Sequence, residues 1–306
     1  MCWSFLPAPT IGVASSPSCI SPPPAHGRCK GQCVVKLYRH NPYVRLGGDI
    51  VSVVGILAFV SFGVAGVVLW LGSGVWPQQL SMRALGTNGV FAVILLQNCA
   101  FVAWAWWRMA SNQRERLGLT ITSWSRVGIY SIIGVPLVLA SNIVVGVLFV
   151  LLGLRQNQTA AYPLVAGDYT GQLVFLVAAA FIAPLGEELL FRGYFWERLV
   201  TRTRVYGAIV GSALIFAVGH SLSASQGAIV LVMQTFFMGL VLAWLRHASG
   251  SIWAGWLAHC INNMIAVAVA TYVVNHPQIN GISNSIAVAI VTYCINHPLF
   301  GCVRAS

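Results

Sequence analysis

Acidic side chains are nearly missing from this sequence: six Asp and Glu stand among 306 residues, against seventeen Lys and Arg. Charged residues of both signs make up only 8%, where a soluble globular domain carries about 25%, and 58% of the chain is hydrophobic. That balance excludes an ordinary soluble domain and describes a multi-pass membrane protein. Also lacking is the paired CxxC spacing of a structural zinc site, because the eight cysteines are scattered and only Cys29 and Cys33 form a lone CxxxC. No HExxH pair occurs either. The net charge of +11 arises from short basic clusters between apolar runs. That is the pattern of cytoplasmic loops, so nucleic acid is not expected as a partner, and membrane lipid is.

Residues 1–45 are rich in Pro, Ser and Cys and hold no sustained period, which reads as a poorly ordered cytoplasmic arm. Its basic residues come late, with no apolar core before them, unlike a signal peptide. Apolar runs long enough to cross a bilayer, for which about 20 residues are needed, follow at 50–71, 89–107, 127–154, 171 through the Glu187-Glu188 pair, 206–222, 228–245 and 252–274. A shorter one at 282–295 makes the count about eight. The predicted fold class is therefore all-α, a polytopic transmembrane helix bundle, with an amphipathic extension after the helix that carries Glu187. The domains read as the arm 1–45, a bundle over 46–275 and a terminal helix in 276–306. Within the tail, Ile265 to Tyr272 and Asn275-His276-Pro277 recur 21 positions later, which reads as a duplication.

Arginines cluster in the connections 108–126 and 192–204 and at Arg246, while the alternate connections hold little charge. The bias places the N-terminus in the cytoplasm, and the plasma membrane is the expected location.

Two of the six acids are adjacent, at Glu187 and Glu188, in an apolar run. A charge inside such a run costs a few kcal/mol or more. On a helix Glu188 shares a face with Arg192, four residues on, whereas Glu187 has no partner in its own helix and is free to face a cavity. Read alone, the pair could equally mark the membrane interface. Other runs decide, because they carry His220, with Phe216 at i−4, and His259, with Asn263 at i+4. If the two middle runs form a hairpin turning near Thr203 and Arg204, Glu187 and His220 each lie about 16 residues from the turn and at one depth. Gln97, Asn98, Asn142 and Gln234 read as interhelical hydrogen-bonding groups.

Glu187-Glu188-x-x-x-Arg192, Phe216-x-x-x-His220 and His259-x-x-x-Asn263, in this order on apolar helices, resemble the CPBP intramembrane proteases, the group of type II CAAX prenyl endopeptidases and abortive-infection proteins. The resemblance covers roughly residues 110–275. It implies hydrolysis of a peptide bond in a membrane-associated or prenylated protein or peptide. By the same likeness Glu187 activates the water, His220 holds or polarises it, His259 and Asn263 donate to the oxyanion, and Glu188, Arg192 and Phe216 support the site. A glutamate mechanism without metal is expected, with zinc on Glu187, His220 and His259 as the alternative. A non-catalytic membrane scaffold or immunity protein, or a small-solute transporter, would use the same fold. Oligomeric state is not readable from the sequence.

Overall fold

The protein was analysed as a computed structural model, which describes residues 42–73, 82–109, 111–153, 162–221 and 228–276. The arm before residue 42, with Cys29 and Cys33, the apolar run 282–295 and the second copy of the repeat lie outside the described residues. The chain divides into two units between Arg45 and Leu46, and the helices of the membrane bundle belong to the second.

Every regular element among the described residues is helical. In chain order they are α1 (Pro42–Ala58), continued by a π-helical stretch (Phe59–Val64) and α2 (Ala65–Ser73); α3 (Met82–Arg108); a 3₁₀ segment (Ser111–Leu117); and α4 (Trp124–Leu151). The span that carries the glutamate pair follows as α5 (Tyr169–Val177), a first π turn (Ala178–Ile182), α6 (Ala183–Glu187), a second π turn (Glu188–Phe195) and α7 (Trp196–Val200). The last three are α8 (Val205–Ser221), α9 (Ala228–Ser249) and α10 (Trp253–Asn275).

Among the described residues, six helical stretches are long and apolar enough to cross a membrane: Tyr43–Leu71, Leu85–Arg108, Trp124–Phe149, Tyr169–Val200, Ile229–Ser249 and Trp253–Asn275. The protein is thus an integral membrane helix bundle. α8 is a shorter apolar helix. Large apolar side chains such as Ile132, Val144, Leu148, Leu173 and Leu214 stay exposed on the outer faces, as lipid requires. Cys260 is buried, whereas Cys99 sits on an exposed face and so is not a core packing residue.

Local chemistry fixes the ends of the central span. Asp168 caps its N-terminus, accepting from the Gly171 N–H at 2.9 Å. At the other end Thr203 Oγ1 donates to the Leu199 carbonyl, and the chain turns into α8 at the expected place. The helix continues past Arg192 to Val200, with Glu197 partly exposed and Trp196 and Leu199 buried, so the extension is amphipathic. α8 and α9 cross closely because both present small residues: a Cβ at Gly239 would stand 3.0 Å from the Ala213 Cα.

The three arginine-rich connections meet at one end of the bundle. Arg198 donates to the Arg108 carbonyl, Arg116 pairs with Glu197 at 3.1 Å, and Arg246 donates to the Arg116 and Arg192 carbonyls at 2.9 and 3.1 Å. Beside them buried Asp49 holds Arg108 and the Tyr194 hydroxyl. Gly118 is the pivot. Its φ is +77°, its carbonyl accepts from Ile252 N–H and Ser251 Oγ at 3.0 Å each, and a Cβ there would lie 2.6 Å from the Arg246 guanidinium carbon. We expect Gly118→Ala to destabilise the protein by about 1–3 kcal/mol through the left-handed backbone, and more through the clash. Gly128→Ala, in α4 with open space around it, should be neutral or slightly stabilising. Melting of the two purified variants in detergent checks this, and equal shifts would refute it.

Candidate functional site

Glu188 and Arg192 meet as their spacing requires. Arg192 Nη1 donates to Glu188 Oε1 at 2.9 Å, and both side chains are wholly buried. The guanidinium also donates to the Gly239 carbonyl at 3.4 Å and lies over the Phe216 ring at 4.3 Å. One ion pair thus ties the central span to both α8 and α9. Glu188 can pack this deeply because α10 offers no side chain there. A Cβ at Gly255 would come within 2.8 Å of Glu188 Oε2.

His259, on α10, faces both carboxylates. Its Nδ1 lies 3.2 Å from Glu188 Oε1, and its Nε2 lies 3.7 Å from Glu187 Oε2. A carboxylate bonded to Arg192 can only accept, so Nδ1 carries the proton toward Glu188. Glu187 therefore does have a neighbour, supplied from across the bundle rather than from its own helix. Unlike Glu188, it keeps partial exposure, at 15% of its side chain.

Phe216 is the hub of the aromatic side. Its ring is fully buried, 4.5 Å from the His220 ring and 5.9 Å from the His259 ring, edge-on in both cases, while Arg192 covers its face. The His220 Nδ1 donates to the Phe216 carbonyl at 2.9 Å, because that oxygen can only accept. In the neutral ring this leaves Nε2 as an acceptor.

Asn263 follows His259 by one turn and donates from Nδ2 to the Ala179 carbonyl at 2.9 Å, upstream of Glu187 on the central span. Asn262 Nδ2 donates in turn to Asn263 Oδ1 at 3.2 Å, and Asn142 Nδ2 to Asn262 Oδ1 at 2.8 Å. Asn142 is thus an interhelical group, as its place in an apolar run suggests. Asn98 differs: it bonds within α3 to the Ile94 carbonyl, and its Oδ1 presses on Gly186, where a Cβ would approach to 2.0 Å. Glu187, Glu188, Arg192, Phe216, His220 and His259 are thereby joined by one chain of contacts across the central span, α8 and α10, while Asn263 meets the central span separately, at Ala179.

Among the described residues, no three His, Cys, Asp or Glu side chains converge as a metal would need. Glu187, His220 and His259 do not form such a group of three. His259 holds Glu188 through Nδ1, and both His220 and His259 pack against the Phe216 ring.

Two features of the site escape sequence reading. The π turns flanking α6, Ala178–Ile182 and Glu188–Phe195, carry no distinctive residue pattern beyond Pro184. The part played by Asn262 was visible only as an Asn doublet.

Residues 169–265 match the family described as type II CAAX prenyl endopeptidase Rce1-like, an interval that contains every residue of the three motifs. Over that interval the chain is similar to a CAAX-type intramembrane protease family, in agreement with the CPBP resemblance. No curated protein and no solved structure matches the chain.

Proposed function

We propose, from a chain whose residues 169–265 resemble the Rce1-like endopeptidases, that this protein is an intramembrane endopeptidase. It cleaves a membrane-associated or prenylated, CAAX-type protein or peptide with a glutamate-activated water. The observation that carries the reading is His259 set between the two carboxylates, Nδ1 on buried Glu188 and Nε2 toward partly exposed Glu187. Lipid would select against such a group of polar side chains without a task.

In this mechanism Glu187 takes the proton of the attacking water. His220 accepts from that water through Nε2, being held in the required tautomer by the Phe216 carbonyl. The hydroxide adds to the peptide carbonyl, and the oxyanion is met by donors from α10, Asn263 Nδ2 and His259 Nε2. His259 donates from both nitrogens only as the imidazolium, and the site then holds two carboxylates and two cations, Arg192 being the second. Glu187 returns its proton to the leaving amine. Glu188 and Arg192 do not touch the substrate in this scheme; they fix His259 and the Phe216 wall.

The N-terminus is cytoplasmic in this reading, with the arginine-lined end on that side, and the plasma membrane is the expected location. The reaction needs no metal. Purified protein in liposomes is expected to cleave a prenylated CAAX-type peptide equally well with and without a strong zinc chelator. Loss of cleavage that added Zn²⁺ restores would reverse the metal-free assignment. Failure to cleave prenylated peptides or other membrane-anchored peptides would overturn the endopeptidase reading.

A further inference from the structure

We infer that Asn142 and Asn262 are positioning residues that, through a one-way relay of side-chain amides, fix which end of Asn263 faces the reacting peptide. The inference rests on the endopeptidase reading, in which Asn263 Nδ2 donates to the oxyanion.

An asparagine amide presents oxygen and nitrogen with nearly the same shape, so only its partners decide its orientation. Here the decision begins at the main chain. In an α-helix the Ala183 N–H would bond to the Ala179 carbonyl, but in the first π turn it bonds to Ala178 instead. A π turn would then offer Ala179 the N–H of residue 184, which is proline and has none. The Ala179 carbonyl is thereby left for a side-chain donor, and Asn263 Nδ2 takes it at 2.9 Å.

From that point every amide has one allowed sense. Asn263 turns Oδ1 to Asn262 Nδ2 at 3.2 Å, and Asn262 turns Oδ1 to Asn142 Nδ2 at 2.8 Å. Reversal anywhere would set two acceptors or two donors face to face between part-buried side chains, a costly arrangement. The relay links three spans: α4 through Asn142, α10 through the Asn doublet and the central span through Ala179. An NH₂ group has two hydrogens, and Ala179 uses one of them. The other is the oxyanion donor, held at the nitrogen by residues that never reach the substrate.

A packing role for Asn142 would not depend on hydrogen-bond direction, and the relay does. Asn142→Asp keeps the volume but puts an acceptor where Nδ2 donated, which favours turning Asn262 and then Asn263 around and sets the relay against the Ala179 carbonyl that holds Asn263 in its present sense. Asn142→Leu merely leaves Asn262 Oδ1 without its donor. With full-length protein in liposomes and a prenylated CAAX-type peptide, Asn142→Asp is expected to lower kcat on the order of 10²-fold, the loss of one oxyanion donor, with KM little changed. Asn142→Leu should lower it only a few fold. Equal losses, or wild-type kcat in Asn142→Asp, would overturn the inference. A second measurement does not require turnover: a melting cycle of Asn142→Leu and Asn263→Leu in detergent. The two side chains are joined through Asn262, so their effects are expected to be non-additive. Asn263→Ser replaces the second variant if Asn263→Leu does not fold. Additive shifts would overturn the relay. Non-additive shifts in a protein that cleaves no peptide would keep the relay and remove the endopeptidase reading.

Discussion

Glu187→Gln is expected to reduce peptide cleavage by roughly 10³-fold, the scale of a lost general base, while the melting temperature stays near that of the wild type. Gln has the shape of Glu but takes up no proton at this task. The protein should tolerate the change because Glu187 is the less committed of the two acids. The His259 Nε2 stands 3.7 Å from it, beyond hydrogen-bonding distance, and its side chain is partly exposed. Activity and stability should therefore separate at this position. Glu188→Gln should not show that separation, because Glu188 holds Arg192 and His259 together and its loss disturbs both. His220→Ala should reduce kcat less than Glu187→Gln, since water placement would be lost and proton transfer kept. Retained cleavage in Glu187→Gln would remove this residue from the mechanism, and a loss of cleavage matched by a loss of folded protein would make it structural.

The parts of this site that follow helix periodicity were legible in the sequence. Glu188 under Arg192, Phe216 under His220, and His259 with Asn263 are each i and i+4, a relation that survives any detail of packing. The hairpin turn at Thr203 and Arg204 was legible for the same reason: apolar runs on both sides fix where a polar turn can go. What crosses between helices was not. Nothing in the sequence says that the partner of Glu187 is His259, because helix rotation depends on the π turns before and after α6. Each such turn shifts the register of the helix by a fraction of a turn. The span count was less legible for another reason. Apolar runs were counted by composition, and α8 is predominantly apolar but only 17 residues long. Asn142, Asn98 and Gln234 all looked alike as lone polar groups. Only the partners tell Asn142, which bonds across to α10, from Asn98, which bonds within its own helix.

Arg192→Met is expected to destabilise the protein by about 3–5 kcal/mol, because the wholly buried Glu188 carboxylate keeps His259 Nδ1 but loses the guanidinium that pairs with it. Both members of the pair are fully buried, and Glu188 Oε2 accepts no hydrogen bond from the described residues, so little near it can replace the guanidinium. The substitution also removes the donor to the Gly239 carbonyl and the cation over Phe216, through which the central span grips α9 and α8. Lysine should recover only part of the loss: it restores the charge but not the planar group that lies against Phe216 while bonding Glu188. The double variant Glu188→Gln with Arg192→Met tests the cause. If the stranded charge dominates, adding Glu188→Gln to Arg192→Met should raise stability again, so that the double variant melts above Arg192→Met alone. If the lost contacts to Gly239 and Phe216 dominate, the second substitution will add to the damage. Unfolding of the four proteins in detergent separates the two outcomes, and wild-type stability in Arg192→Met would refute both. The size of the effect matters for function as well, because His259 takes its orientation from Glu188 Oε1, the same oxygen that Arg192 holds. A cation that never meets the substrate would then set the aim of the group that does.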